Sequence, residues 1–373
     1  MAVMVLMAVS CRKPFEPAVF KSGYNYLVVD GFINAAPNGV TNILLSRTAN
    51  VSDSAVANKP ELNAGVTIES NSGQSYTLTP QGTDGTYSSA PLNLDNTKQY
   101  RVSIKMAGGS QYRSDFITPH PTPPIDSVDW RQDNDVTVYV NAHDPANNTL
   151  YYRWTFTEAW QYESTYYSEW GVANNLIYHR DSLTQQIHEC WMTTYSTDIL
   201  LGSSVALSQD VISQAPLTKL ARADRKLNIR YSILVNQYAL TAPAYTYWQI
   251  IQKNTQQLGS LFDEQPSQLM GNLHSITNPN EPVIGYMTVT SQQQARIFID
   301  NKDLQGQWIG AVPDFSCQVV VTSQDPYNFA IFDYPDKTYL PLYFISGGGL
   351  AVAKGICVDC TLQGGVSIKP VFW

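Results

Sequence analysis

The residues with the plainest chemical potential are cysteines. In "ICVDC", near the end of the chain, Cys357 and Cys360 have two residues between them. That spacing serves half a zinc site, a dithiol redox couple or a disulfide element. Two further cysteines, Cys190 and Cys317, lie far from each other and from that pair. An all-cysteine zinc site is ordinarily built from two close pairs, and here there is one. A redox couple needs a helix start to lower its thiol pKa, whereas "CVDCTLQGG" has strand and turn character. In an oxidising compartment, Cys190, Cys317, Cys357 and Cys360 point to two disulfides, with three connectivities open. The preferred arrangement staples the C-terminal tail to the body through Cys317 and one member of the CxxC pair.

Other clusters are weaker. "HEC" sets His188, Glu189 and Cys190 side by side, but neighbours on a strand point to opposite faces, and the spacing to His179 fits no common site. "SGGGL" has glycines without the Lys-Ser/Thr of a phosphate loop, and neither a G-x-S-x-G elbow nor H-E-x-x-H occurs. "HDPANN" and "DND" supply oxygen ligands without the EF-hand pattern. The expectation is no catalytic residue, no metal and no cofactor.

The compartment is read from the other end. "MAVMVLMAVS", residues 1–10, is an apolar run short of the ~20 residues needed to span a bilayer and suited to a signal-peptide core. It ends in "AVSC", a loose lipobox, so residues 1–10 read as a lipoprotein signal peptide and Cys11 as the lipidated residue. Residues 11–24, which include the polar "RKPFEP", read as a tether, and the acylated cysteine makes the bilayer a partner.

Only 14% of residues are charged, against about 25% in an average soluble protein, so Ser, Thr, Asn and Gln must supply much of the polar surface. Net charge is −8 with no basic block, which argues against nucleic acid, since phosphate neutralisation needs clustered Lys and Arg. The 23 tyrosines and 8 tryptophans are material for cores and for binding surfaces alike.

The elements that must position these residues are mainly strands. Between residues 25 and 118, "YLVVDGFI", "TNILLSRT", "GVTIES", "SYTLTP", "GTYSS", "QYRVSIKM" and "SQYRSDFI" are apolar or alternating runs separated by turn chemistry, which predicts an immunoglobulin-like β-sandwich. The Pro-rich linker 119–124 follows, as a stiff domain boundary. Residues 125–373 read as a larger β-rich domain with an aromatic insertion at about 158–215 and one embedded helix at about 243–258, capped by Thr241 and stopped by Gly259. A shorter helix is also open around "LSQDVISQAPLTKLA", and "VIGYMTVT" with "ARIFI" suggests a hairpin joined by "SQQQ".

Ten aromatics fall between Tyr151 and Tyr178. A strand would put Tyr152, Trp154, Phe156, Trp160 and Tyr162 on one face. If that strand stops near Thr157, then Trp160, Tyr162, Tyr166, Tyr167 and Trp170 sit on the insertion, where they form the candidate ligand or partner surface. Core packing is the competing reading of the same residues.

Several stretches together carry a resemblance. "YSILVNQYALTAPAYTYWQIIQKNTQQLGSLFDEQPSQLMGN", "VIGYMTV", "RIFID" and "CVDCTLQGGVSIKPVFW", with "LVVDGFI", "VTNILLSRT", "PPIDSVDW" and the lipobox, resemble an uncharacterised family of Bacteroidota lipoproteins encoded beside TonB-dependent receptors. The resemblance covers nearly the whole mature chain. It implies an outer-membrane, cell-surface lipoprotein without enzymatic activity that assists nutrient uptake, its partners a TonB-dependent outer-membrane receptor and a small ligand of unknown identity. It carries over Cys11 as the lipidation site and the paired-cysteine tail, and no catalytic residue. A structural or adhesive envelope protein, and a secreted hydrolase with unidentified carboxylates, are the alternatives.

Overall fold

The computed structural model describes residues 25–49, 59–173, 176–181, 184–256, 271–306, 308–322, 339–346 and 348–373. Cys11, the signal-peptide segment 1–10 and the tether 11–24 lie outside the described residues. The architecture is mainly β with one long helix.

The first unit contains β1 (Leu27–Gly31), β2 (Asn42–Arg47), β3 (Gly65–Ser70), β4 (Ser75–Gln81), β5 (Thr86–Ser89), β6 (Tyr100–Lys105) and β7 (Gln111–Ser114). They join antiparallel in the order β1-β2-β5-β4-β3-β6-β7 as one hydrogen-bonded sheet. Alternation turns Leu27, Ile43, Ile68, Tyr87 and Val102 into a single core, which the sheet must curl around to bury from every strand. That core also takes Leu273, Val283, Met287 and Val289 from far along the chain.

The boundary at residue 118 is therefore corrected, because the first unit is completed by residues 272–291. The short strand Leu273–Ser275 pairs with β7. Ten residues on, Val29 donates to the Ile284 carbonyl at 2.8 Å and Ile284 donates back to that of Leu27 at 2.9 Å. One segment thus covers both edges of the sheet, which would otherwise be open templates for pairing. Gly285 permits the approach: its φ is +140°, and a Cβ there would fall 2.2 Å from the Val29 carbonyl oxygen.

The second unit contains β8 (Ile125–Gln132), β9 (Val136–His143), β10 (Tyr151–Glu163), β11 (Trp170–Ala173), β12 (Leu176–His179), β13 (Glu189–Tyr195), β14 (Leu200–Ser203), β15 (Val211–Leu220), β16 (Arg230–Ala239) and α1 (Ala242–Gln256). After the returning strand β17 (Leu273–Ser275) come β18 (Gln292–Asp300), β19 (Val320–Thr322), β20 (Tyr339–Phe344) and β21 (Leu350–Lys354). One sheet has the order β8-β9-β15; a larger one runs β13-β10-β16-β18, with β14 also on β10. The stretch "LSQDVISQAPLTKLA" is not a helix but contains β15, whose pairing with β9 shifts register at Leu217 and again across Gln214, at φ 52°. The helix begins where Thr241 allows: its Oγ1 accepts from the Ala244 N–H, and its carbonyl from Tyr245.

Two further expectations are corrected. "VIGYMTVT" and "ARIFI" do not make a hairpin. Val289–Thr290 pairs in parallel with Ile33–Asn34 in the first unit, whereas β18 pairs with β16 in the second, so the chain changes units at Ser291. The segment 119–124 is not a free spacer either. His120 donates its backbone N–H to Val289, and the buried Thr122 lies against Thr290 and Ser291. Thr122 Oγ1 also accepts from the Ala239 N–H at 2.9 Å, while the Pro123 carbonyl accepts from Gln237. One buried threonine therefore ties the strap to both units.

Thr122→Val keeps the side-chain shape but leaves the Ala239 N–H without its acceptor. Urea unfolding should show a loss of about 1–3 kcal/mol, and a change below about 0.5 kcal/mol would mean that the Thr122 hydroxyl does not hold the two units together.

Candidate functional site

The site grows out of β10. Both of its neighbours satisfy it along most of its length, β13 from Thr157 to Glu163 and β16 from Tyr152 to Gln161, so the strand does not stop near Thr157. Its even-numbered side chains accordingly stay inside as far as Tyr162. Trp160 is 4% exposed in the main core with Lys226 over its ring, and the Tyr162 hydroxyl donates to the Cys360 carbonyl at 2.8 Å. These two residues are therefore corrected from candidate surface to core. The one charge of the same parity, Glu158, is buried and fully engaged: Tyr231, Lys226 and Thr194 all donate to it. Burial, with Glu158 beside it, pushes the Tyr231 hydroxyl well above its usual pKa.

Beyond Glu163 the chain leaves the sheet and builds a lobe. The hairpin β11-β12 packs on β20, and β19-β21-β20 form a small sheet over Leu340, Leu342, Ala351, Ala353 and Val358. Tyr166 is part of this packing. It is half-buried, its N–H donates to the Cys357 carbonyl, and its hydroxyl donates to the Cys317 carbonyl at 3.2 Å. Ser168 Oγ donates to the Pro341 carbonyl.

Two disulfides hold the lobe. Cys317 bonds Cys357, and Cys190 bonds Cys360, with Cα–Cα distances of 5.7 and 5.8 Å. The first closes the lobe on itself; the second fixes the tail to β13 in the main core. Trp191 and Val366 then exchange backbone hydrogen bonds. The closing Phe372 and Trp373 receive Arg296 and Arg230 over their rings. Both members of the CxxC pair are thus clasps, as is the cysteine of "HEC".

Tyr167 and Trp170 are the candidates that stay at the surface. Tyr167 is 57% exposed, edge-on to His188. Trp170 stands edge-on between Phe344, at 4.9 Å, and His179, at 5.3 Å. Phe344, in contact with Trp170, is 47% exposed, and elsewhere on the same small sheet Tyr343, Val320 and Val321 are exposed as well. The sequence reading missed Tyr343 and Phe344, although two aromatics ahead of "SGGG" were a visible signal.

A cavity of about 270 Å³ adjoins this patch, lined by Tyr167, Glu169, His179, Arg180 and His188. Arg180 Nη1 is buried there without a partner, and burial pushes the guanidinium pKa down. His188 Nδ1 lies 2.8 Å from Ser164 Oγ, and its Nε2 is 3.6 Å from Glu163. The row of serine, histidine and carboxylate has a structural wiring, because the buried Ser164 hydroxyl donates to the Tyr166 carbonyl. Among the described residues no group of three or more His, Cys, Asp or Glu is placed to hold a metal ion, and no helix is long and apolar enough to cross a membrane.

A family model described as a domain of unknown function, DUF4249, matches residues 12–296. The chain belongs to the DUF4249 family. In this DUF4249 protein the match takes in the first unit and the second as far as Arg296 in β18, with the β11-β12 hairpin, while β19 to β21 and three of the four disulfide cysteines lie beyond it. No curated protein matches the chain. Among solved structures, a DUF4785 family protein from Legionella pneumophila is similar at 8% identity and a TM-score of 0.20, over 56% of this chain and 51% of that one. The chain thus spans about half of that protein's length.

The division between core and surface aromatics has a direct readout. Trp160→Ala should lower unfolding stability by about 3–5 kcal/mol, while Tyr167→Ala should stay within about 0.5 kcal/mol. Equal losses in urea denaturation of the oxidised protein would contradict the assignment.

Proposed function

We propose that this DUF4249 protein is an outer-membrane lipoprotein, held at the cell surface by acylated Cys11, that docks without enzymatic activity on a TonB-dependent transporter and serves nutrient uptake. The observation that carries the reading is the clasped lobe, with Tyr167 and Phe344 forming an aromatic surface around one half-buried tryptophan, Trp170. Aromatic groups of this kind bring large apolar area with few rotatable bonds, which favours partner docking over plain solvation. The two disulfides support an oxidising compartment. They also cross-link the lobe that carries the patch, and restraint of this kind lowers the ordering cost of association. The lipobox at Cys11 supports the anchor, and the resemblance to lipoproteins encoded beside TonB-dependent receptors supplies the partner class.

Affinity purification of the tagged protein from detergent-solubilised outer membranes tests the reading. A TonB-dependent receptor should elute with the intact protein, and Tyr167→Ala with Phe344→Ala should reduce its recovery roughly tenfold or more. Cys11→Ala should move the protein out of the membrane fraction. A protein that elutes as a lone monomer under all conditions, or a receptor recovered equally with the double variant, would overturn the proposal. The first outcome would favour the adhesive alternative.

A further inference from the structure

A second cleft lies where the two units meet, away from the lobe. It measures about 220 Å³ and is walled by Asp30 and Phe32 of the first unit, Arg153, Tyr238 and Trp248 of the second, and Tyr286 of the returning segment. Arg153 belongs to the odd-numbered face of β10, opposite the aromatic core. Its guanidinium carbon lies 3.8 Å over the Trp248 ring and 5.9 Å from the centre of Tyr238. Stacking fixes the plane of the group and leaves its N–H donors free for another partner.

Those donors are unused. Among the described residues Arg153 makes no ion pair, and its Nε, shielded from water, has no hydrogen-bond partner. Burial works against the charge, and the carboxylate that acts on it from a distance is Asp30, exposed at the rim and beyond ion-pair contact. A buried cation donor with no acceptor is costly unless something supplies one. The other walls combine ring faces with the threonines Thr155 and Thr288, and Phe32 stands edge-on to Tyr238 at 5.2 Å while Tyr286 lies against Tyr247 at 5.2 Å. One positive and one negative group, separated and unpaired, in a space below the roughly 300–1,000 Å³ of sites for drug-sized ligands, call for a small neutral molecule carrying both charges.

We propose that this cleft binds a free α-amino acid, its carboxylate on the donor edge of Arg153, its ammonium toward Asp30 and its side chain against Phe32, Tyr238 and Tyr286. Arg153 is suited to the carboxylate because its fork of N–H groups matches two oxygens at once. The inference is independent of the docking surface: it concerns other residues, and failure of either leaves the other standing.

Calorimetric titration of the full-length, oxidised protein tests it, with L-phenylalanine, 3-phenylpropionate and phenethylamine as probes that share one ring and differ in charge. L-Phenylalanine should saturate one site, and each single-charge analogue should bind roughly tenfold or more weakly. Arg153→Met, which keeps the stem over Trp248, should abolish the L-phenylalanine signal without lowering thermal stability. Asp30→Asn, at an exposed position, should weaken L-phenylalanine about tenfold while leaving 3-phenylpropionate unchanged or tighter. The proposal is overturned by a lack of L-phenylalanine binding at roughly millimolar concentration, by equal binding of 3-phenylpropionate, or by retained affinity in Arg153→Met. If that variant does not fold, the Asp30→Asn comparison alone decides.

Discussion

The two-residue period of one strand organises both sites. β10 runs for 13 residues with Tyr152, Trp154, Phe156, Glu158, Trp160 and Tyr162 all facing inward, so its odd residues must face outward. The inward face sets the main core and, through the Tyr162 hydroxyl on the Cys360 carbonyl, the position of the C-terminal clasp. The outward face puts Arg153 at the meeting of the two units. A slip of one residue would exchange the faces, turning Arg153 and Thr155 into the main core and the tryptophans out of it. The buried Glu158 adds to this constraint, since Tyr231, Lys226 and Thr194 meet it in one register.

The two units are not independent. The chain crosses between them at Thr122 and again at Ser291, and these two crossings are hydrogen-bonded to one another. The lobe is held by different means. Its own buried cluster is Leu340, Leu342, Ala351, Ala353 and Val358, too little apolar area to order a small sheet unaided. Cross-linking the chain lowers the entropy that this small core must overcome. The same arrangement lets aromatic side chains remain exposed on a surface that does not collapse onto them.

What could be read from the sequence follows the range of the interaction. Alternating runs such as "GVTIES" and "QYRVSIKM" became β3 and β6, and the long helix begins at its Thr241 cap, because each signal is contained within about ten neighbouring residues. The set of four bridging cysteines was legible from count and compartment, and so was the bond from Cys317 to one member of the CxxC pair; which member takes Cys317 and which takes Cys190, 170 residues from Cys360, was not. Pairings between distant segments left no local mark. "VIGYMTVT" has the pattern of a hairpin arm, yet its partner is β1 with Ile33–Asn34. Trp160 was ambiguous because strand length decides its fate, and β10 is lengthened by β13 and β16, which lie outside the local window. The Arg153 cleft draws on residues 30, 153, 238, 248 and 286, a grouping that only the fold creates.

The central claim is that the clasped lobe is the face this protein offers to its partner. Site-specific photocrosslinking in intact cells tests it most directly, with a photoreactive phenylalanine analogue placed at Phe344 and, as a control, at Tyr195, an exposed aromatic on β13 outside the patch. The account predicts a crosslink from position 344 to a TonB-dependent outer-membrane receptor and none from position 195. Crosslinks to the receptor from 195 alone, or from neither position in cells that contain the receptor, would contradict it.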